Sequence, residues 1–448
     1  MQFHIALFYL IIGTLAATIK PTKPSDDDFY TPPQGYEDQE VGTILKRRNT
    51  PSPLTSVVNQ ASVQNSWQLL VRSEDSFGNP NAIATTIIQP FNASNDKVVS
   101  YQSFQDSGKL DCAISFAIQY GSGFDNLLGQ AEMFFISAFL TQGYYVVVPD
   151  HEGPKSTFTA GRQSGKATLN SIRATLNSEN TTGIHSGAQV MMWGYSGGSL
   201  ASGWAAVLQK EYAPELSSNL IGAALGGFYS NLTALFDYTD GTIYAGLVPN
   251  ALGGIGNEYT NVSDFLNHKV SSDDAEQFSE RDDYCITDST FANLFRNYFS
   301  GSDKVFPDGW GIFNEEPLKS TMEENGLVYL SKDYVPQIPI FIYHATNDDI
   351  LPFRDSNETF SRWCEWGLES GEFNEDQTYA HITEALVGAP AALTWVIDRF
   401  NGVPPVQGCK HTARVSNFDY PGIASSIFDY FSSILDMLMG SELGPFLE

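Results

Sequence analysis

A pentapeptide, Gly194-Tyr195-Ser196-Gly197-Gly198, leaves few architectures open to these 448 residues. The run before it, Gln189-Val190-Met191-Met192-Trp193, is apolar and reads as a buried strand, while residues 199–208 are rich in small side chains at helical spacing. Strand, tight turn and helix is the context that a G-x-S-x-G nucleophile elbow requires. The serine must sit in a strained turn with its hydroxyl clear of the sheet, and glycines on either side let strand and helix approach closely. The Gly197 N–H, at the start of the helix, then faces the place where an oxyanion would form. Ser196 is thus a candidate nucleophile, and the rest of the chain has to supply a base and an acid.

Strand patterns recur at residues 67–73, 82–88, 97–104, 143–150, 220–225 and 338–344. Residues 143–150 form a continuous apolar run of the kind buried on both faces of a parallel sheet, and a helical pattern at 130–142 precedes it. Early strands in hairpin-like succession followed by βαβ units predict a doubly wound α/β sheet. Residues 226–337 are far too long for an ordinary connection. They carry helical patterns at 232–247, 262–280 and 291–299, with a loose glycine-rich run at 245–256. This stretch reads as a mainly helical cap or lid, residues 229–330, inserted over the carboxyl edge of the sheet, where an α/β site lies. The core is then 46–228 and 331–448. Further helices are expected at 383–399 and 425–439. The apolar face of the last reads as core packing, with a lipid-contacting flap as the alternative.

Asp and Glu number 52 against 24 Lys and Arg, a net charge of −28 that argues against nucleic acid or an anionic membrane as partner and suits solubility in an acidic extracellular medium. Residues 1–17 read as a secretory signal peptide: a short apolar core followed by small residues suited to cleavage after Ala16 or Ala17. No other stretch is long and apolar enough to span a membrane. Residues 18–45 read as a flexible Pro- and Asp-rich arm. Lys46-Arg47-Arg48 is either an ordered basic turn beginning the domain, the preferred reading, or a processing site. Glycosylation sequons occur at Asn92, Asn180, Asn231, Asn261 and Asn357. Cys112, Cys285, Cys364 and Cys409 are an even number in an oxidising context, with three pairings open.

In G-x-S-x-G hydrolases the partners follow in the order nucleophile, acid, histidine. Of seven histidines, His4 lies in the signal, His151 and His185 precede Ser196, His268 falls in the insertion, and His344 ends a strand before any suitable acid. His381 and His411 remain. The strand at 338–344 ends in Ala345-Thr346-Asn347-Asp348-Asp349, the right place for the acid. His381 lies one strand-plus-helix unit downstream, in a loop directly before a helix, whereas His411 sits beside Cys409 with no helix following. The assignment is Ser196, Asp348 and His381, with Asp349 the competing acid and His411 the competing base. No His or Cys spacing suits a metal, and no metal or cofactor is expected.

Beyond the triad candidates, the chain resembles the fungal secretory lipases of the Candida lipase A type. The resemblance rests on Gly194–Gly198, on Tyr343-His344-Ala345-Thr346-Asn347-Asp348-Asp349 and on His381 before its helix. It extends to Tyr101-Gln102-Ser103-Phe104-Gln105-Asp106-Ser107 and Val148-Pro149-Asp150-His151-Glu152-Gly153-Pro154, and covers nearly the whole chain after the signal. It implies triacylglycerol and ester hydrolysis by an α/β hydrolase with a helical cap. With the signal reading, the expectation is a secreted, extracellular protein, a monomer, whose partner is a lipid or ester substrate at an oil–water interface. The resemblance also implies that the Asp106 N–H joins Gly197 in the oxyanion hole, and that the disulfides are Cys112–Cys285 and Cys364–Cys409. The alternatives on such a fold are a serine peptidase, a general carboxylesterase and a catalytically dead binding protein. The last is disfavoured by an intact set of Ser196, Asp348 and His381, the peptidase by the lack of a charged cluster to hold a peptide terminus.

Overall fold

The computed structural model describes residues 20–445. The signal-peptide reading falls outside them. Ten strands form one sheet: β1 Ile44–Asn49, β2 Asn65–Glu74, β3 Pro80–Gln89, β4 Ser94–Gln102, β5 Tyr144–Pro149, β6 Gln189–Tyr195, β7 Leu220–Gly226, β8 Ile340–Ala345, β9 Ser370–Asp376 and β10 Gly408–Arg414. Their spatial order is β1-β2-β3-β5-β4-β6-β7-β8-β9-β10. Strands β1, β2, β3 and β5 pair antiparallel in turn, and every pair from β5 through β10 is parallel. The order reverses at β4, which lies between β5 and β6. The loops after β4 and β6 therefore leave the carboxyl edge side by side, at the switch point where an α/β sheet opens a crevice.

The central strands are apolar throughout because both faces are covered. Along β6, Val190 and Met192 point into one core with Trp204, while Met191 and Trp193 point into the other with Phe139 and Trp395. Helices α1 (Met133–Leu140), α2 (Gly161–Leu176) and α3 (Gly197–Tyr212) follow β4, β5 and β6. The segment between β7 and β8 holds α4 (Leu232–Thr239), α5 (Leu247–Glu258), α6 (Thr260–Lys269), α7 (Ala275–Ser279), α8 (Ile286–Ala292) and α9 (Leu318–Asn325). Helices α10 (Phe353–Glu365), α11 (His381–Phe400) and α12 (Ala424–Met439) follow β8, β9 and β10. Cys112 is bonded to Cys285, tying the segment after β4 to the β7–β8 segment, and Cys364 to Cys409, tying α10 to β10.

Several local expectations give way to tertiary packing. Residues 24–38 are not a free arm: they fold as three short 3-10 turns, and Phe29 is buried against Leu70, Ala82 and Ala84. Arg48 stacks on the Phe29 ring at 4.0 Å and pairs with Asp27 at 2.7 Å. Lys46-Arg47-Arg48 accordingly lies in β1, hydrogen-bonded to β2, and not in a turn. The glycine-rich run at 245–256 is mostly α5, a buried helix; its glycines cost propensity but let its backbone pass against that of Phe158. The helical pattern at 291–299 ends at Ala292, and Phe295 takes a left-handed φ of 59°. On α12, Tyr430, Ser433 and Met437 are buried, but Phe428, Phe431, Leu435 and Leu438 are exposed, so core packing accounts for only one side.

Candidate active site

Ser196 occupies the turn from β6 into α3 with φ 54° and ψ −124°, a region that side chains avoid unless the surroundings impose it. The surroundings here are two close approaches. A Cβ at Gly194 would overlap the Gly198 backbone, and one at Gly198 would overlap the Gln102 carbonyl at the end of β4. Gln102 lies opposite Gly194 in the β4–β6 register, so the turn after β4 meets the start of α3. That turn carries Asp106 at φ 48°, and its Oδ1 fills the space that a side chain at Gly197 would need.

The site is completed from β8 and β9. His381 is the first residue of α11, not the last of a loop, and its ring is buried. Its Nε2 lies 2.9 Å from Ser196 Oγ and its Nδ1 2.6 Å from Asp348 Oδ2. The Tyr195 hydroxyl donates to the His381 carbonyl at 2.6 Å, and Asp349 Oδ1 accepts the His381 backbone N–H at 3.2 Å. The two adjacent aspartates are thereby divided: Asp348 meets the imidazole, while Asp349 sits at the positive end of α11. Asp348 Oδ1 accepts the N–H groups of Ile350 (3.0 Å) and Leu351 (2.7 Å). Burial alone pushes the Asp348 carboxyl up, but the facing His381 and His344 rings outweigh it and hold the group well below the ordinary carboxylate range. His411 lies on β10, paired with Glu375 at 2.9 Å and outside this constellation.

The turn after β4 is held almost residue by residue by groups the sequence did not single out for a role. His151 Nε2 donates to the Ser103 carbonyl (2.8 Å), Glu132 accepts the Phe104 N–H (3.0 Å), and Glu152 accepts the Gln105 side-chain amide (2.7 Å). From α5, Asn250 donates to the Asp106 carbonyl at 2.8 Å. His151 and Glu152 belong to the Val148–Pro154 motif, which was the available signal. Burial pushes the His151 imidazole down to about 4 against the opposing pull of the Ser103 carbonyl, so at neutral pH the ring is neutral with its proton on Nε2. Burial likewise pushes the Asp106 and Asp150 carboxyls from 3.8 up to about 7, and raises Glu132 and Glu152 well above their ordinary value.

These carboxyls set the direction of the pH dependence of stability. Between pH 4 and 7 the folded state keeps protons on Asp106 and Asp150 that the unfolded chain has released, so stability falls as pH rises through that window. Two groups act oppositely. His151, neutral in the fold down to about 4, adds stability as pH rises towards 6.5 and offsets part of the carboxyl effect. The Asp348 contribution is lost only in stronger acid, as pH falls through its depressed folded-state value. Calorimetry at pH 5 and pH 8 should show Tm lower at pH 8 by roughly 3 °C. An equal or higher Tm at pH 8 contradicts the carboxyl assignments.

A cleft of about 830 Å³ opens beside Asp348 and Asp349, lined by Tyr238, Ile243, Tyr244 and Phe295 of the β7–β8 segment. Asn92, Asn180 and Asn261 are exposed, whereas Asn231 and Asn357 are half-buried. Among the described residues no group of three or more His, Cys, Asp or Glu side chains is arranged to hold a metal, and no helix is long and apolar enough to cross a membrane.

A doubly wound sheet in this order, with a serine elbow after a central strand, is an α/β hydrolase. Within that class the chain belongs to the secretory lipase family, which matches residues 118–408. It is 53% identical to Lipase 1 of Candida albicans over 442 residues, covering 98% of this chain and 94% of that protein. Lipase 4 of the same organism is 52% identical, covering 98% and 95%. Among solved structures, Candida antarctica lipase A superposes with a TM-score of 0.81 at 25% identity, over 96% of this chain and 99% of that one.

Proposed function

We propose that this protein is a secreted triacylglycerol lipase acting through an acyl-enzyme on Ser196. The observation that carries the reading is the His381 ring, set between Ser196 Oγ and Asp348 Oδ2 at 2.9 and 2.6 Å at a strained elbow. In this reading Ser196 Oγ attacks the ester carbonyl carbon while its proton passes to His381 Nε2. The developing oxyanion is held by the N–H groups of Gly197 and Asp106. His381 returns the proton to the alkoxide oxygen, which leaves as the alcohol. Water, deprotonated by the same nitrogen, then releases the fatty acid and restores Ser196. Asp348 stays ionised throughout, fixing the tautomer and stabilising the imidazolium.

The helices of residues 229–330 act as the cap. Support for this comes from Asn250 on the Asp106 carbonyl and from the apolar side chains lining the cleft beside Asp348. Extracellular action is supported by the family, by the signal-like residues 1–17 and by the two disulfides. The test is hydrolysis of emulsified long-chain triglyceride beside a soluble short-chain ester and a blocked peptide, with wild type and Ser196→Ala. Serine-dependent release of long-chain fatty acid is the expected result. Ester turnover without triglyceride turnover reduces the protein to a carboxylesterase, and peptide cleavage makes it a peptidase.

A further inference from the structure

We propose that His344, set aside as a base by its place in the chain, is a positioning residue for the acid of the triad; the proposal rests on the assignment of Ser196, His381 and Asp348 above. His344 lies near the end of β8 and its side chain is 0% exposed. A buried imidazole without a partner on each nitrogen is costly, and here both nitrogens have one. Nδ1 accepts the N–H of Phe228 at 2.9 Å. In the neutral ring the proton therefore sits on Nε2, so its partners are acceptors. They are the Leu351 carbonyl at 3.0 Å and, alongside it, Asp348 Oδ2 at 3.2 Å.

The ring thus reaches the acid-bearing turn twice, at its beginning through Asp348 and at its end through Leu351. Together with the Ile350 and Leu351 N–H groups on Oδ1, it leaves the carboxylate one orientation, with Oδ2 directed at His381 Nδ1. Its other nitrogen anchors the loop after β7, which is itself part of the site. The Tyr229 N–H donates to Ser199 Oγ (2.9 Å), and that hydroxyl donates to the Ser196 carbonyl (2.6 Å). A Cβ at Gly227 in the same loop would touch the His381 ring. One neutral imidazole therefore joins the acid turn to the loop beneath the nucleophile. Besides Asp348 and His381, the titratable groups in this neighbourhood are Asp349, on the N-terminus of α11, Tyr195, on the His381 carbonyl, Glu384 in the first turn of α11 and Tyr244 of the β7–β8 segment, beside Asp349.

The role separates from mere core filling through the chemistry of the replacement. His344→Leu keeps an apolar side chain of similar bulk but removes the acceptor for Phe228 and the donor to Leu351 and Asp348. His344→Gln offers both, with Oε1 for the Phe228 N–H and an amide for the acid turn. On a soluble short-chain ester, with active sites counted by a serine-directed phosphonate, His344→Leu should lower kcat about 10- to 100-fold, as one charge-assisted hydrogen bond is worth. KM should change less than about threefold, because His344 does not touch the acyl chain. Asp348, freed of a donor, should hold the His381 proton more tightly, moving the acid limb of kcat/KM to higher pH. His344→Gln should recover most of kcat and the wild-type limb. If His344→Leu does not fold, His344→Asn, too short to serve both ends, takes its place in the comparison.

A leucine or asparagine variant with kcat per titrated site within threefold of wild type and an unmoved acid limb overturns the proposal. So does a glutamine variant as impaired as the leucine one. Failure of the triad reading itself would be seen separately, as a wild type that the phosphonate does not label or a Ser196→Ala variant that stays active.

Discussion

Replacing Ser196 with alanine is expected to cost on the order of a million-fold in kcat, leaving only the acceleration of the oxyanion hole and substrate binding. The magnitude follows from the interdependence of the three groups, since without the Oγ there is nothing for His381 to activate. Folding should be nearly untouched. The strained backbone at φ 54° is imposed by the packing of Gly194 and Gly198 against their neighbours and not by the hydroxyl. The check is a burst-corrected kcat on a soluble ester beside a thermal melt. Loss of activity with an unchanged melt is the expected pair, and full activity in the alanine variant removes Ser196 as nucleophile.

His381→Ala should be nearly as damaging, again about a million-fold, whereas His411→Ala should retain most activity. His381 is buried and bonded at both nitrogens, to Ser196 and Asp348. His411 is partly exposed on the outermost strand, and its pairing with Glu375 is the kind of surface contact that contributes little. Measured side by side, a mild His381→Ala and a lethal His411→Ala would falsify the assignment of the base.

Much of the molecule was legible in the residues because its signals are local. The elbow was readable since glycine at 194, 197 and 198 and an apolar run before it mean the same thing wherever they occur. The buried parallel strands β5 through β8 were legible as continuous apolar runs, which nothing but a two-sided core can accommodate. The strands that escaped, β1, β9 and β10, are polar: Ile44–Asn49 carries three basic residues, and Ser370–Asp376 and Gly408–Arg414 carry charges along their length. The edge strands β1 and β10 are polar for their own protection, and that removes the hydropathic pattern by which a strand is found. Strand β9, paired on both sides, is hidden by the polar residues Glu372, Asn374, Glu375 and Asp376 within its short run.

The order of the chain was sufficient to nominate Ser196, Asp348 and His381, because a strand end, an acid-bearing turn and a histidine ahead of a helix are each visible in one dimension. It could rank but not decide between Asp348 and Asp349, since both can follow the same strand. Only the direction of the turn, pinned by the N–H groups of Ile350 and Leu351, points one carboxylate at the imidazole and the other at the N-terminus of α11. The same holds for His344 and His151. Chain order set both aside as bases, and only tertiary structure brings one against Asp348 and the other against the turn of Asp106. Sequence alone determined the central parallel strands and the elbow and nominated Ser196, Asp348 and His381, because those follow from local pattern and order. The supporting shell was decided by folding, because a buried polar group acquires its role from partners that lie far along the chain.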